Sequence, residues 1–372
     1  MNEDKATRYH RLKRTTAIIA LVWSSVLLAG LMVAGASAWL RNAAEATAGL
    51  APAVTRPALA VVVYVVLLTI VNEVGGLPLG FYSGFVIERR YGLSNQTLRA
   101  WVVDELKGVL VGLILGGLAA SVIYFFIRRF ADTWWLPAGV VFALFIVGLA
   151  NLGPVLLLPL FYSVKPLDRE SLRVRLMALA ERASARVLGV YEWGLAAKTK
   201  KANAALTGLA GTRRILVSDT MLNDYSEDEI EVVLAHELAH HVHGDIWKGL
   251  IFESALILVG FFSAARVLGA SVALAGLRGP ADVAGLPLLL LAAGAVSLVM
   301  LPAAHAMSRG HERRADRFAL ELTRNPAAFV SAMRRLAAQN LAEEHPSKLV
   351  EWLFYSHPPI RERIAAAQQF KV

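Results

Sequence analysis

The run His236-Glu237-Leu238-Ala239-His240 sets two imidazoles four residues apart, with a carboxylate beside the first. On a helix, residues i and i+4 share a face, so both histidines can reach one zinc ion. This H-E-x-x-H spacing is suited to hydrolysis of peptide bonds, because the glutamate sits where it can take a proton from water activated at the metal and pass it on. Val232, Val233 and Leu234 precede the motif, so the helix is expected to be partly buried. Two histidines and a glutamate there would be costly to satisfy without a metal. The competing reading is a chance match on a polar helix. A catalytic zinc usually has three protein ligands and one open position, so a third ligand is required. His241, His243 and His311 lie close in sequence, but His241 is turned about 100° from His240 on a helix, and no spacing compels His243 or His311 to face the metal.

The element that must carry the motif is legible. Ser226 to His243 reads as a helix, with Ser226 as N-cap, Glu229 three residues on to complete a capping box, and further acidic residues in the first turn. Upstream, Leu172, Leu176, Leu179, Ala183 and Val187 recur at three- or four-residue intervals, which predicts an amphipathic helix over Ser171 to Leu188. Arg214 to Ser218 has the character of a short strand and follows the Asn203 to Gly211 segment.

The surrounding composition does not suit a water-soluble domain. Of 372 residues, 56% are hydrophobic, and the mean hydropathy is +0.51, an apolar excess beyond the usual globular balance. Six runs reach or approach the roughly 20 residues that cross a hydrocarbon core: Ala17 to Leu40, Pro57 to Pro78, Gly108 to Ile127, Trp134 to Leu160, Leu250 to Val267 and Leu286 to Ala304. The first is longer than a signal-peptide core and the chain stays hydrophobic beyond it, so it reads as a retained anchor. There is no cysteine, which excludes disulfides, thiolate metal sites and a cysteine nucleophile. The net charge of +9 does not imply nucleic acid, because its distribution follows the spans. With the N-terminus in the cytoplasm, the face opposite the zinc motif receives only Arg41, Arg56, Arg128, Arg129, Arg266 and Arg278, the bias of the positive-inside rule.

The chain resembles the M48 zinc metallopeptidases, and within them the CAAX prenyl protease (Ste24-like) branch. Ser308-Arg309-Gly310-His311-Glu312-Arg313-Arg314-Ala315-Asp316 fits that family's S-R-x-x-E-x-x-x-D pattern. The resemblance implies Glu312 as third zinc ligand and Asp316 as the carboxylate that orients a zinc histidine. The alternative is ordinary helix-surface charge, with Arg309 to Glu312 and Arg313 to Asp316 paired at i,i+3. Leu77-Pro78, Phe85 to Thr97, Asp104, Lys107, Pro159-Leu160-Phe161 and Pro166-Leu167 are similar to the long membrane region of the same branch. Asn203-Ala204-Ala205-Leu206-Thr207-Gly208 resembles the family's N-A-x-x-x-G stretch, which implies an edge strand that would hold a peptide backbone through Asn203 and Ala204; on the residues alone, Asn203 and Gly208 could simply make turns. Ser356-His357-Pro358-Pro359-Ile360-Arg361-Glu362-Arg363-Ile364 resembles its S-H-P-P-x-x-x-R-I segment. By that resemblance His357 and Arg363 stand near the substrate as stabilisers of the oxyanion; on the residues alone, His357 is a turn residue and Arg363 a carboxylate partner.

The expected fold is an all-α integral membrane protein of about six transmembrane helices with a zincin-like catalytic region containing a short sheet. Eukaryotic members are described with seven spans around an intramembrane chamber, one more than is counted here. The expected regions are 1–160 (four spans), 161–249 (zinc helix), 250–305 (two spans) and 306–372 (third ligand). The expected activity is that of an endopeptidase with one zinc ion, cutting peptides or proteins, with prenylated C-terminal substrates implied by the resemblance. The bilayer is its other partner, with the active site on the cytoplasmic side of a bacterial-type inner membrane. A broad quality-control protease for membrane proteins would share these residues, whereas a non-catalytic scaffold or transporter would not need them.

Overall fold

A computed structural model describes residues 4–208 and 210–371; the outermost ends of the first and last expected regions, and Leu209 within the Asn203 to Gly211 segment, lie outside the described residues. Among the described residues, six helices are long and apolar enough to cross a membrane. The first, α1 (Lys5–Val33), ends at Gly35, whose φ of 69° turns the chain into the short α2 (Ala36–Ala48). The first apolar run is therefore not one helix to Leu40, because a left-handed glycine stops the intrahelical ladder. Next comes α3 (Arg56–Phe81), with Pro57 in its first turn, where a missing N–H costs nothing. Pro78 lies near its end, and the helix continues through a π-helical turn, Tyr82–Ile87, to Arg90. Thr97 caps α4 (Leu98–Arg129) by accepting from the Ala100 amide. The fourth span, α5 (Trp135–Leu156), stops before Pro159, short of the Leu160 expected from hydropathy.

Then the chain leaves the spans. A mixed four-stranded sheet is built from β1 (Val164–Pro166), β2 (Val190–Trp193), β3 (Ala204–Thr207) and β4 (Arg214–Ser218), in the order β1-β2-β4-β3. Strand β3 runs antiparallel to β4, Ala204 opposite Val217, and forms the edge. Between β1 and β2 lies α6 (Glu170–Arg182). This helix ends six residues before the expected Leu188: Ser184 takes a positive φ of 54°, and Val187 reaches the core from the following loop. After α7 (Asp219–Asp224) comes the motif helix α8 (Glu227–Val242). The last two spans are α9 (Asp245–Ser271) and α10 (Leu286–Thr323). The fold closes with α11 (Pro326–Asn340), α12 (Lys348–Phe354) and α13 (Ile360–Gln368).

Two cores position the site. One unites Leu172 and Leu176 of α6, Ile215 of β4, Leu234 and Leu238 of α8, and Phe329 of α11, so segments before and after the last two spans form one packed body. The other gathers Leu40, Tyr64, Tyr124, Trp134, Leu268 and Ala284, at the end of the spans remote from α8. Tyr64 and Tyr124 are fully buried there, and both hydroxyls are satisfied, Tyr64 by Ser37 at 2.6 Å and Tyr124 by the Asp282 carbonyl at 3.3 Å. Polar atoms screened from water need such partners.

Candidate active site

Helix α8 is fixed at its start by the capping box expected from sequence: Ser226 Oγ accepts from the Glu229 amide at 3.2 Å, and Glu229 Oε2 accepts from the Ser226 amide at 2.8 Å. The other Glu229 oxygen accepts from Ser331 of α11 at 2.6 Å and from Arg335 at 3.3 Å. Burial works against charge on Glu229, but these partners outweigh it and hold its pKa below the ordinary carboxylate value. Ile230, Leu234 and Leu238 form the buried stripe of α8, and the adjoining face presents His236 and His240, whose rings are nearly perpendicular with centroids 5.0 Å apart.

Helix α10 runs beside α8 and brings up the remaining carboxylates. His236 Nε2 lies 3.3 Å from Glu312 Oε2, and His240 Nε2 lies 3.4 Å from Glu312 Oε1. Behind the imidazoles, His236 Nδ1 donates to Asp316 at 2.9 Å and His240 Nδ1 to Asp245 at 3.2 Å. Those bonds fix the tautomer, so both Nε2 lone pairs point at the Glu312 carboxylate. Asp245 was not among the sequence candidates. It reaches His240 because Gly244, with φ 64°, turns the end of α8 directly into α9, and a carboxylate five residues beyond the motif was the available signal.

A cation fits this donor set. Glu312 Oε2 is buried and accepts no hydrogen bond, so two imidazole lone pairs and a carboxylate face one another without a proton donor between them. One ligand atom from each of His236, His240 and Glu312 lies within 4.8 Å of the others. Zinc bonds of about 2 Å in a tetrahedron set ligand atoms about 3.3 Å apart, the spacing found from each Nε2 to Glu312. His243 packs its ring on Phe318, and His311 is directed at Asp245, 3.8 Å away; neither joins the triad. The surface pairing at i,i+3 does not form. Arg309 donates to the Tyr355 carbonyl at 2.6 Å and Arg313 lies 3.7 Å from Glu362.

Glu237 makes no hydrogen bond or ion pair among the described residues, and burial raises its pKa although His236 and His240 oppose the shift. It opens onto a cleft of about 360 Å³ lined also by Asn203, Ala204, His357 and Arg363. His357 is exposed, with Nε2 3.3 Å from Glu312 Oε1. Arg363 takes the carboxylate-partner alternative: its Nε and Nη2 donate to Asp316 at 2.8 and 2.5 Å, and Nη2 stands 3.3 Å from His236 Nδ1. Along the cleft the Asn203 carbonyl accepts from the Ser218 amide at 2.9 Å. Antiparallel alternation then turns the N–H and C=O of Ala204 and Leu206 outward from the edge. His10 and Tyr355 also line this cleft, and α1 is anchored beside it by Arg14, which donates to Glu343 at 2.5 Å.

Residues 2–163 match a family model described as the CAAX prenyl protease N-terminal region with five membrane helices, and residues 166–371 match peptidase family M48. The chain belongs to peptidase family M48. It is 31% identical to the uncharacterized metalloprotease YhfN of Bacillus subtilis, over 98% of this chain and 85% of that protein. It is 27% identical to a probable CAAX prenyl protease 1 of Schizosaccharomyces pombe, over 80% of this chain and 64% of that protein. The crystal structure of S. mikatae Ste24p has the same fold, with a TM-score of 0.83 at 23% identity over 98% of this chain and 87% of that one. This M48 chain is thus a multi-pass membrane metalloendopeptidase resembling Ste24, with peptide or protein substrates. Where the family model is described with five membrane helices, the described residues of that region hold four helices of spanning length and the shorter α2.

Proposed function

We propose that His236, His240 and Glu312 hold one zinc ion and that Glu237 is the general base of peptide hydrolysis. The observation that carries this reading is the convergence of both Nε2 atoms on the buried Glu312 carboxylate, whose Oε2 accepts no hydrogen bond. A zinc ion held there supplies Lewis acidity to the scissile carbonyl and acidifies water. The outward backbone groups of Ala204, beside Asn203, pair with an extended substrate and set its carbonyl over the triad. Glu237, free of other partners, takes the proton of the attacking water and returns it to the leaving amine. His357, with Nδ1 beside Ser356 Oγ at 2.9 Å, keeps an Nε2–H donor for the oxyanion. Arg363 acts through Asp316, locking the orientation of His236.

The likeness to CAAX prenyl protease 1 extends the proposal to proteins prenylated at the C-terminus. The catalytic body is made of 161–249 and 306–372, the membrane body of 1–160 and 250–305. The basic residues favour a site on the cytoplasmic side of a bacterial-type inner membrane. The test is cleavage of matched farnesylated and unmodified peptides, and of unfolded membrane proteins, by the parent and by Glu237→Gln with bound zinc measured on each preparation. Retained zinc with turnover reduced by about 10²-fold or more is expected, together with preference for the lipidated peptide. A variant that keeps zinc and cleaves within a few-fold of the parent defeats the role of Glu237, and equal cleavage of all substrates replaces the prenyl reading with broad quality control.

A further inference from the structure

Six arginines on the face remote from the zinc helix run against the charge bias of the loops, and four have an evident place. Arg41 is buried against Asp282 at 2.6 Å. Arg278 forks onto Glu45 at 2.8 and 2.9 Å. Arg129 and Arg266 lie over the rings of Phe130 and Phe262. Arg128 likewise lies over the Tyr124 ring, at 5.9 Å, but Arg56 and Arg128 differ from Arg129 and Arg266 in lining a cavity, and from Arg41 and Arg278 in having no carboxylate partner among the described residues. Arg56 Nε donates to the Ala51 carbonyl at 2.8 Å and Arg128 Nη2 to the Pro57 carbonyl at 3.3 Å, which leaves most of their N–H groups open.

Both line a single cavity of about 560 Å³, together with Arg278, Glu45 and the apolar Pro57, Ala60 and Val283. Arg56 begins α3 and Arg128 lies in the last turn of α4, so the cavity lies at the border of the spans. Since Arg278 is neutralised by Glu45, and Arg41 by Asp282, two positive charges remain uncompensated over an apolar lining. Guanidinium groups match phosphate oxygens in geometry and charge, and basic pockets between membrane helices suit lipid headgroups. We propose that this cavity binds the phosphate group of an anionic phospholipid in the leaflet remote from the zinc helix. A soluble phosphate would present the same oxygens but would gain nothing from the apolar lining or from the border of the bilayer.

The test uses the full-length protein in detergent micelles, with dioleoyl phosphatidylglycerol and dioleoyl phosphatidylcholine titrated separately and bound lipid counted by native mass spectrometry. Phosphatidylglycerol should bind more tightly than phosphatidylcholine. Arg56→Gln with Arg128→Gln should weaken phosphatidylglycerol by about tenfold and leave phosphatidylcholine unchanged, and Arg129→Gln should change neither. Glu45→Gln, which frees Arg278 toward the cavity, should tighten phosphatidylglycerol and carries the test where the double variant does not fold. Millimolar inorganic phosphate should not displace the lipid. The proposal is overturned by equal binding of the two lipids, by the same loss in Arg129→Gln, by an unchanged affinity in Glu45→Gln, or by displacement with inorganic phosphate.

Discussion

Asp316→Asn and Asp245→Asn remove one negative charge from behind each of the two histidines proposed to hold zinc while keeping side-chain size, and the surroundings predict unequal losses. Asp316 accepts from His236 Nδ1 at 2.9 Å and from Arg363 at 2.8 and 2.5 Å, and the Arg363 side chain is only 9% exposed. Asp245 accepts from His240 Nδ1 at 3.2 Å, but its cations Arg314 and Lys248 are 45% and 46% exposed, so water can replace what they lose. Loss of the carboxylate that orients a metal histidine costs about 10- to 100-fold in affinity, which is about 1.4 to 2.7 kcal/mol. Asp245→Asn belongs near the tenfold end. Asp316→Asn belongs at the hundredfold end, because it leaves Arg363 without its counter-charge 3.9 Å from Glu312 Oε2, where the guanidinium competes with the metal for that ligand. Breaking a buried pair from one side also destabilises a fold by about 3–5 kcal/mol, so the melting temperature should fall with it. Competition for zinc against a fluorescent chelator, with thermal melting of the same preparations, measures both. Equal losses, or a larger loss in Asp245→Asn, refute the argument from burial of the cation, and parent-like affinity in both refutes either carboxylate as an orienter.

His357→Gln should lower kcat by about 10²-fold or more with KM nearly unchanged, the pattern for a donor used in the transition state; a rise in KM alone would assign His357 to substrate binding. Glu229→Gln should lower the melting temperature at pH 7. Because the folded-state pKa of Glu229 is depressed, its contribution is complete above the unfolded value and is lost as pH falls through the folded one. Parent and variant melting curves should therefore converge below the ordinary glutamate range of about 4, and a constant gap down to lower pH would remove the ionised capping box from the account. Single cysteines in place of Ser94 and Ser226, in a chain with no other cysteine, should react with an impermeant reagent only after the membrane is opened. Labelling of either in intact cells would reverse the orientation.

Local features of the sequence carried a large part of this structure. Hydropathy located six spans, and the capping box at Ser226 and the strand from Arg214 to Ser218 both form. These depend on neighbours in the chain, where periodicity and side-chain chemistry speak directly. What escaped depends on distant partners or on backbone conformation. The break at Gly35 and the end of α6 at Ser184 are φ choices inside apolar stretches, which hydropathy does not register. Arg309, which the alternative reading paired with Glu312 by spacing, instead donates to the carbonyls of Glu351 and Tyr355. Asp245 lies outside the motif helix, so a helical wheel cannot show that the turn at Gly244 returns it to His240. The approach of α1 to the active-site cleft, with His10 bonded to the Leu341 carbonyl at 2.9 Å, joins opposite ends of the chain and has no local signature.

The triad draws two members from α8 and one from α10, with the hairpin of α9 and α10 between them. During synthesis His236 and His240 emerge first, and Glu312 can join them only after that hairpin has entered the bilayer and returned. On the proposed ligand set, a nascent chain therefore lacks one metal ligand until its final membrane passage is made. Competence to cut thus arrives together with correct insertion, so the order of biogenesis gives this hydrolase the protection that a removable propeptide gives a secreted one.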